Sequence, residues 1–187
     1  ENYGIEKWMT NRARRAVELY ASDESITHDE FFRYKYDKLY SEKSNLRRQV
    51  ADFVEAQAGN SVLKKEIDLL RQWNGETTKD NRSAALVLLT FRPRSNSSKR
   101  KTGHERTLEQ LQKASEDLIK HFGQIDVEWG KVNRLVRGDK NLPLGGGPDT
   151  LRAIYGRPQE DGTLAGLAGD CFFQFVEWDK DGQLNAW

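Results

Sequence analysis

Cysteine is almost absent from this 187-residue chain. Its single thiol, Cys171, rules out an intramolecular disulfide and says little about compartment, since many exported proteins lack disulfides as well. Histidine is scarce too. His28, His104 and His121 stand far apart without the paired spacing of a zinc site, so no metal is expected. Neither sign of charge dominates, with 30 Lys and Arg against 29 Asp and Glu and a formal net charge of +1. That balance offers no footprint for nucleic acid or an anionic membrane. A run of about 18 consecutive apolar residues is also missing, so no membrane-spanning helix is expected.

Aromatic residues, by contrast, are plentiful: five Trp, six Tyr and eight Phe within a composition that is 32% charged and 36% hydrophobic. A disordered chain carries fewer. The length allows one ordinary domain or two small ones, with room for a real core.

The first two thirds read as helices. Thr10 or Asn11 can cap a segment that places Ala13, Ala16, Val17 and Tyr20 on one face. Thr27-His-Asp-Glu30 has the spacing of a capping box and opens a helix carrying Phe31, Phe32, Tyr34 and Tyr36, aromatics expected to pack on the first helix. Leu46, Val50, Phe53 and Val54 define a third stripe, and Val62, Leu63, Ile67, Leu70 and Trp73 a fourth that stops at Asn74-Gly75. The run Ala84 to Leu89 is apolar all round, and its alanines favour a buried helix over a strand. Residues 92–106 hold no aliphatic side chain and predict a mobile basic loop; the interleaved aromatics of a nucleic-acid surface are missing there. Leu108, Leu111, Leu118, Ile119 and Phe122 mark a last long helix, closed by Gly123.

Beyond Gly123 the pattern turns to strands at 132–136, 150–155 and 169–178, and Asp179-Lys-Asp-Gly182 predicts a hairpin turn into 183–187. The expected fold class is therefore α+β: a mainly helical region over 1–122 followed by a short antiparallel sheet over 123–187.

Several motifs invite a chemical reading and fail it. Asp179-x-Asp181-Gly182 begins like a calcium loop but lacks the glutamate at the twelfth position, which leaves a turn. Gly145-Gly146-Gly147 precedes Pro148 and lacks the Lys-Ser/Thr of a phosphate loop, so a flexible turn is expected. Cys171 sits in an apolar pattern with no base nearby. Ser25, Ser41 and Ser83 lack the Gly-x-Ser-x-Gly elbow of a nucleophile. Taken alone, these residues describe an α+β domain without visible catalytic machinery.

One loose constellation remains. Arg12-Ala-Arg14-Arg15-Ala opens a helix; Leu69-Leu70-x-x-Trp73-Asn-Gly75 and Ser83-Ala84-Ala85-Leu86 lie mid-chain; Trp129-Gly130 leads through Arg134-Leu-Val-Arg137-Gly138 to Leu142-Pro-Leu-Gly145-Gly146-Gly147-Pro-Asp149. In that order and at that spacing, strongest over 8–40, 67–90 and 127–156, the set resembles the C-terminal part of the β-chain in the penicillin acylase family. The likeness is nearest to its acyl-homoserine-lactone acylase and aliphatic acylase branch.

The resemblance implies a piece of a four-layer αββα hydrolase with an N-terminal nucleophile. Such an enzyme is made as one exported precursor and cut into α and β chains, so that a serine becomes the β N-terminus. The serine hydroxyl attacks an amide carbonyl while its own amine acts as base, and backbone and Asn donors hold the oxyanion. That Ser and Asn have no counterpart here and are expected upstream of Glu1. The implied partners are the α-chain, the N-terminal part of the β-chain and a small N-acylated substrate such as a penicillin-like compound or an acyl-homoserine lactone. No cofactor is implied, and the location is periplasmic or secreted. An arginine that organises the active site from the start of the helix after the Asn maps onto Arg12 or Arg14, with Arg15 as third choice; a planar, permanently charged fork suits that task. The alternative from another class is a stand-alone binding or scaffold module using Trp and Phe of 172–187.

Overall fold

A computed structural model describes residues 9–91, 103–169 and 174–186. Among them run the helices α1 (Asn11–Tyr20), α2 (His28–Lys35), α3 (Asn45–Ala56), α4 (Lys64–Gln72), α5 (Ala84–Phe91), α6 (His104–Phe122) and α7 (Trp129–Val132). They are followed by the strands β1 (Asn133–Arg137), β2 (Lys140–Pro143), β3 (Ile154–Pro158), β4 (Leu164–Gly169), β5 (Val176–Trp178) and β6 (Leu184–Ala186). The architecture is α+β, helices first and two small sheets after.

Local chemistry sets the helix ends. Thr10 is the cap of α1, its hydroxyl accepting from the Ala13 N–H at 3.2 Å, which decides between Thr10 and Asn11. At α2 the capping box closes: Thr27 N–H donates to the Glu30 carboxylate at 3.1 Å and Glu30 N–H donates to the Thr27 hydroxyl at 3.3 Å. Asn81 prepares α5 by accepting from the N–H groups of Ser83 and Ala84. Gly123, at φ 76°, ends α6 in the left-handed conformation that an L side chain resists. The expected loop 92–106 is corrected at its end: Gly103 caps α6 and 104–106 are already helical, whereas 92–102 lie outside the described residues.

The core forms around α5. Ala84, Ala85, Leu86 and Val87 are fully buried, as a helix apolar on every face requires. Phe53 of α3, Leu70 of α4 and Leu111 and Leu118 of α6 join it in one core, together with Trp129 and Val132 of α7. Each such side chain contributes on the order of 1.5–3 kcal/mol by leaving water.

The aromatics of α2 divide between two neighbours, which corrects the expectation that all pack on α1. Tyr34 meets Tyr20 of α1 edge to face at 5.3 Å. Phe32 instead stacks on Phe175 at 3.8 Å, and Phe31 meets the same ring edge-on at 5.5 Å. Buried Phe175 thus fastens the β5–β6 hairpin to α2.

The larger sheet has the order β2-β1-β4-β3. The expectation of a wholly antiparallel sheet is corrected at one seam: β1 and β4 run parallel, with Asn133 opposite Leu164 and Arg134 opposite Ala165. The cause is connectivity. β2 folds back on one edge of β1, the chain then passes over the 144–153 loop, and the antiparallel β3–β4 pair delivers β4 to the other edge of β1 in the same direction. The expected strand over 150–155 begins only at Ile154; of the one over 169–178, Gly169 ends β4 and Val176–Trp178 form β5, while 170–173 lie outside the described residues. Cys171, Phe172 and Phe173 lie outside the described residues. Asp179 makes the final turn by accepting from the N–H groups of Asp181 and Gln183 at 2.9 and 2.8 Å, so its carboxylate is committed to the chain itself.

Candidate functional site

The Gly145-Gly146-Gly147 segment is close-packed, not a flexible turn. Gly146 is buried at φ 95°, and a Cβ there would stand 2.2 Å from the Arg152 carbonyl oxygen. Its N–H donates to the Thr77 carbonyl at 2.7 Å, and its own carbonyl accepts from the Trp129 indole at 2.8 Å. On the other flank the buried Thr150 hydroxyl lies 2.7 Å from the Arg152 carbonyl and takes the Gly147 N–H at 3.2 Å. Tyr40 donates its hydroxyl to the Pro148 carbonyl. Burial, with the charge of Asp149 adding, lifts that hydroxyl well above the ordinary tyrosine range, so it stays a donor.

This rigid loop presents Asp149 to the start of α1. Asp149 is the one non-glycine residue with positive φ, 62°, among those described. Its carboxylate accepts from the N–H of Asn11 at 2.8 Å and from that of Arg12 at 3.4 Å, and its carbonyl accepts from the Asn11 side-chain amide at 2.9 Å. Asn11, buried, completes its valences by donating to the Leu39 carbonyl at 3.2 Å and accepting from the Ser41 N–H at 2.8 Å. The first turn of α1 is therefore bolted to the segments 39–41 and 146–149 at once.

The three arginines of α1 diverge from this anchor. Arg12 is exposed; its guanidinium reaches the Tyr155 hydroxyl of β3 at 3.5 Å and pairs with no carboxylate among the described residues. Arg14 is half-buried and makes no side-chain hydrogen bond or ion pair among the described residues. Two positions apart on a helix means about 200° around its axis, so Arg12 and Arg14 do not serve one point. Arg15 turns inward. Its fork meets both oxygens of Asp37 at 3.0 and 2.9 Å and touches Glu18 at 2.8 Å, and the Asp37 hydrogen bonds hold its pKa above the usual arginine value against the burial that opposes it. Burial pushes Glu18 upward, but the Ser41 hydroxyl at 2.6 Å and Arg15 outweigh it and hold the carboxyl below its ordinary 4.5.

Several other polar groups pair with neighbours. Ser41 spends its proton on Glu18 without a histidine between them. His28 pairs with Glu177, and His121 packs against Gly162. A shallow cleft beside α7 is lined by Lys79, Asp80, Glu128, Lys131 and Arg134, but Lys79 pairs with Asp80 and Lys131 with Glu128, while Arg134 binds the Gly130 and Asn141 carbonyls. Among the described residues no group of three or more His, Cys, Asp and Glu could hold a metal ion, and no helix is long and apolar enough to cross a membrane. Asp149 and Tyr155 carry no sequence signal of their partnership with α1; an Asp after Gly-Pro reads only as a turn residue that tolerates positive φ.

Comparison with known proteins extends this picture. The chain is 32% identical over 81 residues to the acyl-homoserine lactone acylase PvdQ of Pseudomonas fluorescens (strain Pf0-1), a stretch covering 41% of this chain and 10% of that protein. The match thus spans about a tenth of the length of the curated relative. The sequence pattern described as penicillin amidase matches residues 2–187. With nearly its whole length matched, the chain belongs to the penicillin amidase family.

Proposed function

We propose that the protein containing this chain hydrolyses the linear amide bond of a small N-acylated molecule, such as a penicillin-like compound or an acyl-homoserine lactone. The observation that carries this reading is the family match over residues 2–187. The serine nucleophile belongs to polypeptide beyond this chain, and the chain alone is inactive. Attack by the serine hydroxyl forms an acyl-enzyme and releases the amine; water then frees the carboxylic acid. Ser41, committed to Glu18, is no candidate for that attack. The location is periplasmic or secreted, and the partners are the α-chain and the N-terminal part of the β-chain.

Of the two candidate arginines we assign the supporting role to Arg12. Its backbone is fixed by Asp149, and its exposed guanidinium has no carboxylate among the described residues, so the fork is available to a carbonyl or carboxylate outside this chain. Holding the loop that bears the oxyanion donor, it would cost on the order of 10²-fold in kcat when truncated.

The test uses the full-length, processed protein. Incubation with N-acyl substrates should release free acid and amine, Arg12→Ala should lower kcat, and Arg14→Ala should leave it unchanged. If neither arginine matters, the residue assignment is wrong; if no N-acyl substrate is cleaved, the function is. The alternative, a stand-alone binding module, rests on the β5–β6 hairpin, where Trp178 is 67% and Leu184 58% exposed. A full-length protein that binds a partner through this hairpin and cleaves nothing would favour it.

A further inference from the structure

The segment from Asp149 to Tyr155 grips Arg12 at both ends. The Asp149 carboxylate holds the backbone N–H of Arg12 and of the residue before it, while the Tyr155 hydroxyl stands beside the guanidinium. Capping the helix does not by itself require this arrangement, because Thr10 already satisfies the Ala13 N–H from within the helix's own sequence. The carboxylate instead comes from 138 residues away, on a backbone at φ 62° that a non-glycine residue adopts at some cost. Its carrier loop is tied down on both flanks, by Gly146 to Thr77 and by Thr150 to Gly147 and Arg152.

We propose that Asp149 is a positioning residue for the active-site arginine: its carboxylate sets where the first turn of α1 sits and so aims the Arg12 fork. The inference rests on the assignment of Arg12 above. Two N–H groups held by one carboxylate fix both the height and the rotation of the helix start. A loosened start lets the guanidinium drift, and a misplacement of about 1 Å in a positioning group can cost roughly 10²-fold in rate.

The experiment is a double-mutant cycle in the full-length, processed enzyme, with Asp149→Gly and Arg12→Ala separately and together. Glycine accepts the positive φ, so this variant removes the carboxylate without straining the backbone. Asp149→Gly should lower kcat by about 10-fold to 10²-fold and change KM by less than about 3-fold. In the Arg12→Ala background the same substitution should cost nothing further, because the group it aims is gone. Asp149→Asn, of the same size and with one acceptor kept, should give a smaller loss with the same coupling, and it carries the decision if the glycine variant does not mature. If Arg12→Ala impairs turnover while Asp149 variants keep the parental kcat, or if the two losses multiply, the role of Asp149 is overturned and that of Arg12 stands. If Arg12→Ala turns over at the parental rate, the Arg12 assignment falls and this inference with it.

Discussion

Arg15 and Asp37 face each other as two flat forks, Nε on Oδ1 at 3.0 Å and Nη2 on Oδ2 at 2.9 Å, tying α1 to the turn after α2. Their side chains are only 12% and 15% exposed, so solvent weakens the pair little. Arg15→Ala should therefore destabilise the protein by about 1.5–3 kcal/mol in urea unfolding. Arg15→Lys should recover only part of the loss, since a point charge cannot make the fork. Arg14→Ala should stay within about 0.5 kcal/mol. Equal effects at the two positions would show that the fork contributes nothing special.

Gly146 admits no side chain. With a Cβ 2.2 Å from a carbonyl oxygen and φ at 95°, Gly146→Ala is expected to cost more than about 3 kcal/mol or to prevent folding. Gly59, where an added Cβ would meet nothing within 4 Å, should tolerate alanine within about 0.5 kcal/mol. Thermal melts of the two variants check the contrast.

Acid should loosen α1 through Glu18. Its folded-state pKa lies below the ordinary 4.5, so the unfolded chain binds the proton more readily; the stabilisation is complete above pH 4.5 and disappears as the pH falls through the lower, folded value. Glu18→Gln should remove that part of the pH dependence. Stability curves for the two proteins should be furthest apart above pH 4.5 and converge below it; curves that stay parallel would discount the Ser41 and Arg15 contacts.

Phe175 is the fastener of the second sheet. A two-stranded hairpin is marginal by itself in water, and the contacts with Phe31 and Phe32 supply what β5 and β6 lack. Phe175→Ala should abolish hydrogen-exchange protection in 176–186 while leaving α3, α4 and α6 protected. Loss of protection throughout would show that the hairpin belongs to the main cooperative unit.

What was legible in the sequence follows the range of the interactions involved. Thr27 and Glu30, three residues apart, announce α2 because they satisfy each other. The buried run of α5 and the stop at Gly123 are equally local. The β1–β4 pairing is set by where two hairpins land, and Lys140-Asn-Leu-Pro143 has neither the alternation nor the β-branched residues that would reveal β2. Composition could not separate a loose glycine turn from a crowded one, because the residue suits both; only the neighbour at Arg152 decides. The clasp of Asp149 on Asn11 joins positions 138 residues apart and leaves no periodic trace.

That clasp also orders events during synthesis. A ribosome adding about 5–20 residues per second needs roughly 7–28 s to travel from Asn11 to Asp149. Over that interval the residues of α3, α4 and α5 emerge and can find one another, while the start of α1 has no carboxylate to hold it. Within this segment the start of α1 is thus made before the core helices, yet the contact that holds its first two N–H groups becomes available only after them.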